Sequence, residues 1–271
     1  MKGLIVFFCF IVSNNLLATI NVEIFHKELG NGQFVLYATN KEYCPVSLQL
    51  KFKLTNMKSS SEAGKMFLIP ALKENFELTR LVPVDKTKKF SFNYKNNFHY
   101  GDHNQNEYDQ NYTYKLPFEN GASFLLSQGY NGSFSHKNEN SLDFIMPVGT
   151  KILAIRDGIV IDYLESNNSG CASPKCVDLA NYIIIYHPED RTFSNYAHLK
   201  QNGVIVEKGD VVKQGQLIGY SGNTGYSSKP HLHLDVFLQR MNSRKTLKTK
   251  FYISENEQAY LKEKKRYKQY H

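Results

Sequence analysis

The sequence predicts an all-β protein, and three observations carry that expectation. Short runs place apolar residues at alternate positions, and clusters of Asn, Lys, Ser and Gly separate them. No convincing helix can be drawn between residues 120 and 238. Composition agrees: the 271 residues include 18 Tyr, 18 Phe and 17 Gly but no Trp, which suits strands joined by tight turns. Hydrophobic residues at 41% and charged residues at 21% describe a globular chain, long enough for one large domain or two ordinary ones.

The first element read along the chain is a secretory signal. Met1-Lys2 forms a short basic start, and Gly3 to Val12 is an apolar run too short to span a bilayer. Leu16-Leu17-Ala18 follows, so cleavage is expected after Ala18, with an uncleaved N-terminal anchor as the alternative. No later apolar stretch is long enough to cross a membrane, and the protein is expected to be exported, to a periplasm or the cell exterior.

Residues 19–118 are expected to form a β-sandwich-like domain. Phe34 to Ala38, Val46 to Leu54 and Lys89 to Tyr94 alternate as strands of a roughly immunoglobulin-type sandwich, and polar residues 101–115 read as a linker or long loop. No catalytic constellation occurs in this half; His26, His99 and His103 read as surface or packing residues. From Leu116 the pattern changes. Lys151 to Ile155, Gly158 to Tyr163 and Tyr182 to Tyr186 read as strands, with Arg156-Asp157-Gly158 as a hairpin turn. Two short strands surround Gly209-Asp210, and a short Glu- and Lys-rich helix is expected from about Glu255 to Tyr267. The boundaries are therefore 1–18 signal, 19–118 sandwich, 119–240 second domain and 241–271 basic tail.

The formal charge is +8. A basic surface favours anionic partners. Export argues against nucleic acid and for an anionic cell-wall polymer, with a merely solvated basic tail as the alternative. Of four cysteines, Cys9 lies in the signal, Cys44 reads as a buried thiol, and Cys171 and Cys176 flank the turn-rich Ala-Ser-Pro-Lys. In an exported protein that pair can close a small disulfide loop; two unpaired thiols are the alternative.

The chemistry concentrates in a few histidines. On a strand, Pro230-His231-Leu232-His233-Leu234 puts both imidazoles on one face and both leucines on the other. His136 precedes Asp143 by a gap of six residues, and Asp143 enters a strand. His136, Asp143 and His233 make three zinc-compatible ligands and leave a fourth position open to water, which separates catalytic from structural zinc sites. Tyr196-Ala197-His198-Leu199 supplies one further histidine. His198 and His231 then remain for proton transfer and oxyanion stabilisation. His198 is preferred as base and His231 as oxyanion partner, although sequence does not order them.

Taken together, His136 with Asp143, Tyr196-Ala197-His198-Leu199, Gly222-Asn223-Thr224-Gly225 and His231-Leu232-His233 resemble the lysostaphin-type, or LytM-type, zinc endopeptidases of family M23. The resemblance covers about residues 120–240. It implies a small, mostly antiparallel β-sheet peptidase domain with a peptide groove, one zinc on His136, Asp143 and His233, catalysis by His198 and His231, and hydrolysis of peptide cross-links in peptidoglycan stems. Many relatives have three residues between the first His and the Asp; here there are six, and Ser166 to Asp178 reads as an added loop near the groove. A catalytically silent wall-binding module, or an activator of another hydrolase, is the alternative. A lipoyl-type carrier is a weaker one, because neither Lys208 nor Lys213 sits in a modifiable hairpin tip.

Overall fold

The computed structural model describes residues 20–270, so the expected signal segment 1–18 lies outside the described residues. Strands dominate, and the one helical segment among the described residues is a six-residue 3-10 turn, Pro174–Leu179. No described helix is long and apolar enough to cross a membrane.

The N-terminal half is a pair of antiparallel sheets. One orders Val22–Gly30, Gln33–Asn40, Phe76–Pro83 and Met57–Ser59; the other orders Met66–Ile69, Val46–Thr55 and Ser91–Tyr100. Leu36 and Leu81 from the first sheet meet Leu48, Leu50 and Ile69 from the second in one core. Alternation explains it: in Val46–Thr55 the even positions point inward, while Lys51 and Lys53 point to solvent. His99 is buried and His26 packs edge-on against Phe34 and Phe92, so both are packing residues as expected.

The C-terminal half is built on a nine-stranded sheet. Its path runs Val211–Val212, Gly158–Leu164, Tyr182–His187, Thr192–Ala197, His231–Gln239, Ser141–Ile145, Ser123–Gln128 and Lys265–Lys268, with Arg244–Thr246 added beside His231–Gln239. One face carries Leu142, Phe144, Ile183, Ile185, Tyr196, Leu232 and Leu234 into the main core. Each such side chain contributes roughly 1.5–3 kcal/mol by leaving water, and together they fix which way the alternate residues point. The opposite face holds His231, His233 and Asp235 at one end. At the other end Phe193 and Phe237 dock the sandwich through Cys44, Tyr43 and Tyr100. The buried Glu42 carboxylate meets Lys208 at 2.6 Å across that same junction.

Three expectations are corrected. Arg156-Asp157-Gly158 does not close a hairpin: Lys151–Leu153 pairs with Leu217–Ser221 in a separate sheet, whereas Gly158–Leu164 pairs with Tyr182–His187. Arg156 is instead anchored by Asp190 at 2.7 Å and stacks on Tyr112, so the chain changes sheet there. The short helix expected near Glu255 to Tyr267 is absent; Gln258–Tyr260 and Lys265–Lys268 are strands. Nor is 241–271 a loose basic tail, because Leu247, Phe251, Leu261 and Tyr267 all enter the main core. Edge pairing to Ser123–Gln128 outweighs the helix propensity of the Lys and Glu residues, whose charges remain at the surface.

Candidate metal centre

Three neighbouring strands set the site. Asp143 lies directly opposite His233, and Ala197 opposes His233 from the other side. His136 comes from the loop after Ser123–Gln128, and its Nδ1–H donates to the Gly129 carbonyl at 3.1 Å. The six-residue gap thus enlarges the loop without removing His136 from the site: His136 Nε2 lies 3.3 Å from Asp143 Oδ1. His233 Nδ1 is 3.0 Å from the same oxygen. One ligand atom from each of His136, Asp143 and His233 lies within 4.8 Å of the others.

This donor set fits a divalent ion. The Gly129 bond leaves a lone pair on His136 Nε2, a buried atom with no hydrogen-bond partner among the described residues, and it faces a carboxylate oxygen. Two such atoms held this close suit a cation between them. Nitrogen and carboxylate donors suit zinc. On the far side of His233, Nε2–H donates to Asp235 Oδ2 at 3.2 Å, and Asn195 donates to that same oxygen at 2.9 Å. Arg244 approaches the other Asp235 oxygen at 3.5 Å. Gln128 donates to Asp143 Oδ2 at 2.9 Å and accepts from the backbone N–H groups of Phe134 and Ser135, tying the carboxylate to the His136 loop.

Charge follows this geometry. Burial works against ionised Asp143, but His136 and His233 outweigh it and hold its carboxyl well below the usual range. Burial likewise opposes a charged His233, yet Asp143 and Asp235 raise its pKa to about 9. Asp235 is itself pulled down to about 2 against its burial, by Arg244, His233 and Asn195. Two buried carboxylates therefore surround a position that favours positive charge, and a metal arriving there displaces a proton from His233.

His198 and His231 flank the triad, with ring centroids 4.5 Å apart. His198 has a left-handed backbone, φ 65°, where the chain turns between the Thr192–Ala197 and Leu199–Val204 strands. Its Nδ1–H donates to Thr224 O at 2.7 Å, and that of His231 donates to Lys229 O at 2.8 Å. Both Nε2 atoms are thereby left as acceptors. Burial lowers both pKa values, with the neighbouring histidines adding to the effect on His198, which falls to about 3.

All five residues singled out from the sequence come together here. Sequence reasoning missed Asp235, Asn195 and Gln128. Asp235 had a readable signal, because it follows His231 and His233 at the next same-face position. Asn195 and Gln128 had none: each is placed by strand register, opposite Asp235 and Asp143 respectively. Tyr130 donates to Thr249 O at 2.7 Å and serves packing. Cys171 and Cys176 are bonded, and Cys44 is a buried free thiol. Lys208 and Lys213 are ion-paired with Glu42 and Asp157, which leaves the carrier alternative without a free lysine in that hairpin.

Asp235→Asn is expected to weaken zinc binding about 10–100-fold, because it removes the carboxylate that orients and polarises the His233 ring. Competition with a chromophoric chelator measures this, and an unchanged affinity would contradict the role.

Three candidate metal donors therefore lie beside two further imidazoles on one β-sheet. Residues 137–245 match Peptidase family M23; Asp143, His198, His231 and His233 lie inside the match and His136 stands one residue before it. This segment is similar in sequence to the M23 peptidases. A protein of Buchnera aphidicola described as an uncharacterized metalloprotease is 42% identical over 110 residues, 40% of this chain and 26% of that one. The peptidoglycan DD-endopeptidase ShyA of Vibrio cholerae is 35% identical over 100 residues, 37% of this chain and 20% of its own length. The catalytic domain of the antimicrobial peptidase lysostaphin from Staphylococcus simulans aligns at 28% identity and a TM-score of 0.35, over 46% of this chain and 87% of that one. The chain thus spans only about a quarter or less of the length of these two curated relatives.

Proposed function

We propose that the protein is an exported, zinc-dependent endopeptidase that hydrolyses peptide cross-links of bacterial peptidoglycan. The observation that carries this reading is the lone-pair set of His136, Asp143 and His233 with two further imidazole acceptors beside it. A catalytically silent wall-binding module would have no use for a buried, unpaired imidazole nitrogen such as His136 Nε2 facing a carboxylate. The Cys171–Cys176 bond supports an oxidising compartment and hence export.

In this reading His136, Asp143 and His233 hold one zinc ion, Gln128 fixes the Asp143 carboxylate and Asp235 fixes the His233 ring. Bound zinc supplies Lewis acidity, polarising the scissile carbonyl and lowering the pKa of a water to about 7. His198 Nε2 takes a proton from the attacking water. His231 is the second proton-handling group, and its expected role as oxyanion donor requires a ring that has first gained a proton at Nε2, since Nδ1–H is committed to Lys229 O. The substrate is a peptide stem lying along the open face of the sheet. The sandwich docked at the Phe193–Phe237 end borders that face about four strand residues from His233, some 13 Å. An anionic wall polymer is the partner we assign to the basic surface.

Elemental analysis of the full chain is expected to find one zinc per chain. A chelator is expected to stop release of dye from labelled peptidoglycan, and added zinc to restore it. A protein that carries no divalent ion and still releases dye would overturn the assignment.

A further inference from the structure

The disulfide loop and the two non-ligand histidines share one piece of chain. Gly170–Cys171 pairs in parallel with Gly225–Tyr226. Through that pairing Ser227 N–H donates to Cys171 O at 3.1 Å and Gly225 N–H to Ser169 O at 3.0 Å. Asn181, just beyond the 3-10 turn that contains Cys176, donates its N–H to Thr224 Oγ1 at 3.0 Å. The approach is close: a Cβ on Gly225 would meet Ala180 at 2.5 Å, and one on Gly170 would meet the Asn223 and Gly225 carbonyls at 2.6 Å.

The clamped segment, residues 223–227, orients the His198 ring and also contacts the His231 ring, whose Nδ1–H donates to Lys229 O. Thr224 O accepts the His198 Nδ1–H. Ser227 Oγ lies 3.1 Å from His231 Nδ1 and donates to Asn223 Oδ1 at 2.7 Å. The three metal donors are held elsewhere, by Gly129, Gln128 and Asp235. No hydrogen bond recorded among the described residues joins the Ser169–Ala180 loop to any of those three supports.

Building on the zinc-endopeptidase reading above, we propose that the Cys171–Cys176 disulfide is a redox latch that positions His198 and His231 without contributing to metal binding. With the bond closed, Cys171 O and Ser169 O hold residues 223–227 against the sheet and both Nε2 atoms face the site. With the bond open, the closed loop from Cys171 to Cys176 becomes slack and the register of residues 223–227 loosens. Closing it removes two protons and two electrons from the thiols and passes them to an oxidised dithiol or small-molecule disulfide, which leaves reduced. Cys171 is only partly buried, so such a reagent can reach it. The hydrolase therefore gains full activity only in an oxidising compartment, and remains slow in a reducing one even when loaded with zinc.

The test compares the zinc-loaded full chain with its Cys171→Ser/Cys176→Ser form and with wild type reduced by a phosphine. Both treated forms are expected to keep one zinc per chain and near-native KM but to lose about tenfold or more in kcat, since misplacement by ~1 Å can cost ~100-fold. Reoxidation of the reduced wild type with oxidised glutathione should restore kcat, which separates positioning from misfolding of the double variant. Ser227→Ala should lower kcat under oxidising conditions, again with zinc retained. Ring resonances of His198 and His231 should shift on reduction while those of His136 and His233 stay. An unchanged kcat with unchanged His198 and His231 resonances would overturn the latch, and so would loss of zinc in step with activity. If oxidised wild type cuts no peptidoglycan, the function assignment fails, and the ring resonances still decide whether the disulfide positions the histidines.

Discussion

His233→Ala is expected to release the metal and abolish hydrolysis, with kcat/KM falling on the order of 10³-fold or more. His233 sits between Asp143 and Asp235 and bonds both. On the proposed assignment, removing it takes one of three donors from the metal site and leaves two buried carboxylates without the group that separates them. A barrier increase of about 4 kcal/mol corresponds to roughly 10³ in rate, and loss of Lewis acidity alone costs several kcal/mol. The fold also suffers, since breaking a buried charge pair costs about 3–5 kcal/mol. Metal analysis and kinetics on the same sample check this outcome. Full zinc occupancy with unaltered turnover would show that His233 is not a ligand.

His198→Ala is expected to do something different: keep the zinc and lose about 10²–10⁴ in kcat, the usual range for a deleted general acid or base. The ring packs edge-on against His233 with centroids 5.8 Å apart, but its hydrogen bond runs from Nδ1 to Thr224 O rather than to Gly129, Gln128 or Asp235. Its left-handed backbone is a complication for alanine, so His198→Asn is the better companion, since asparagine tolerates that conformation. Both variants should bind zinc as tightly as wild type in a chelator competition. If either lost zinc, His198 would belong with the ligands; if both kept full activity, it would have no part in proton transfer.

The contrast between these variants reflects how the site is encoded. His231-Leu232-His233 could be read directly, because strand alternation separates two imidazoles from two core leucines. The pairing of His136 with Asp143 was legible in residue type but not in distance, and only the folded loop shows that six intervening residues still bring them to 3.3 Å. Gln128 and Asn195 could not be found from local pattern. Their roles arise from register across four strands, a non-local property that a one-residue slip would erase. The same limit explains the C-terminal segment. A run such as Lys-Glu-Lys-Lys-Arg reads as helix or solvated tail from propensity alone, but it turns at Glu263-Lys264 and enters the Lys265–Lys268 strand because Ser123–Gln128 offers an unpaired edge. The pair Cys171 and Cys176 was readable as a possible bond, but its link to His198 and His231 depends on a parallel two-residue bridge to Gly225–Tyr226.

Mass analysis of muropeptides from purified peptidoglycan, before and after digestion by the full chain, tests the cross-link assignment most directly. The expected result is conversion of cross-linked dimers into monomers by addition of one water at a peptide bond, with glycan strands intact, abolished by chelation and restored by zinc. Cleavage of glycan bonds, or cross-link hydrolysis that persists after complete removal of metal, would contradict it.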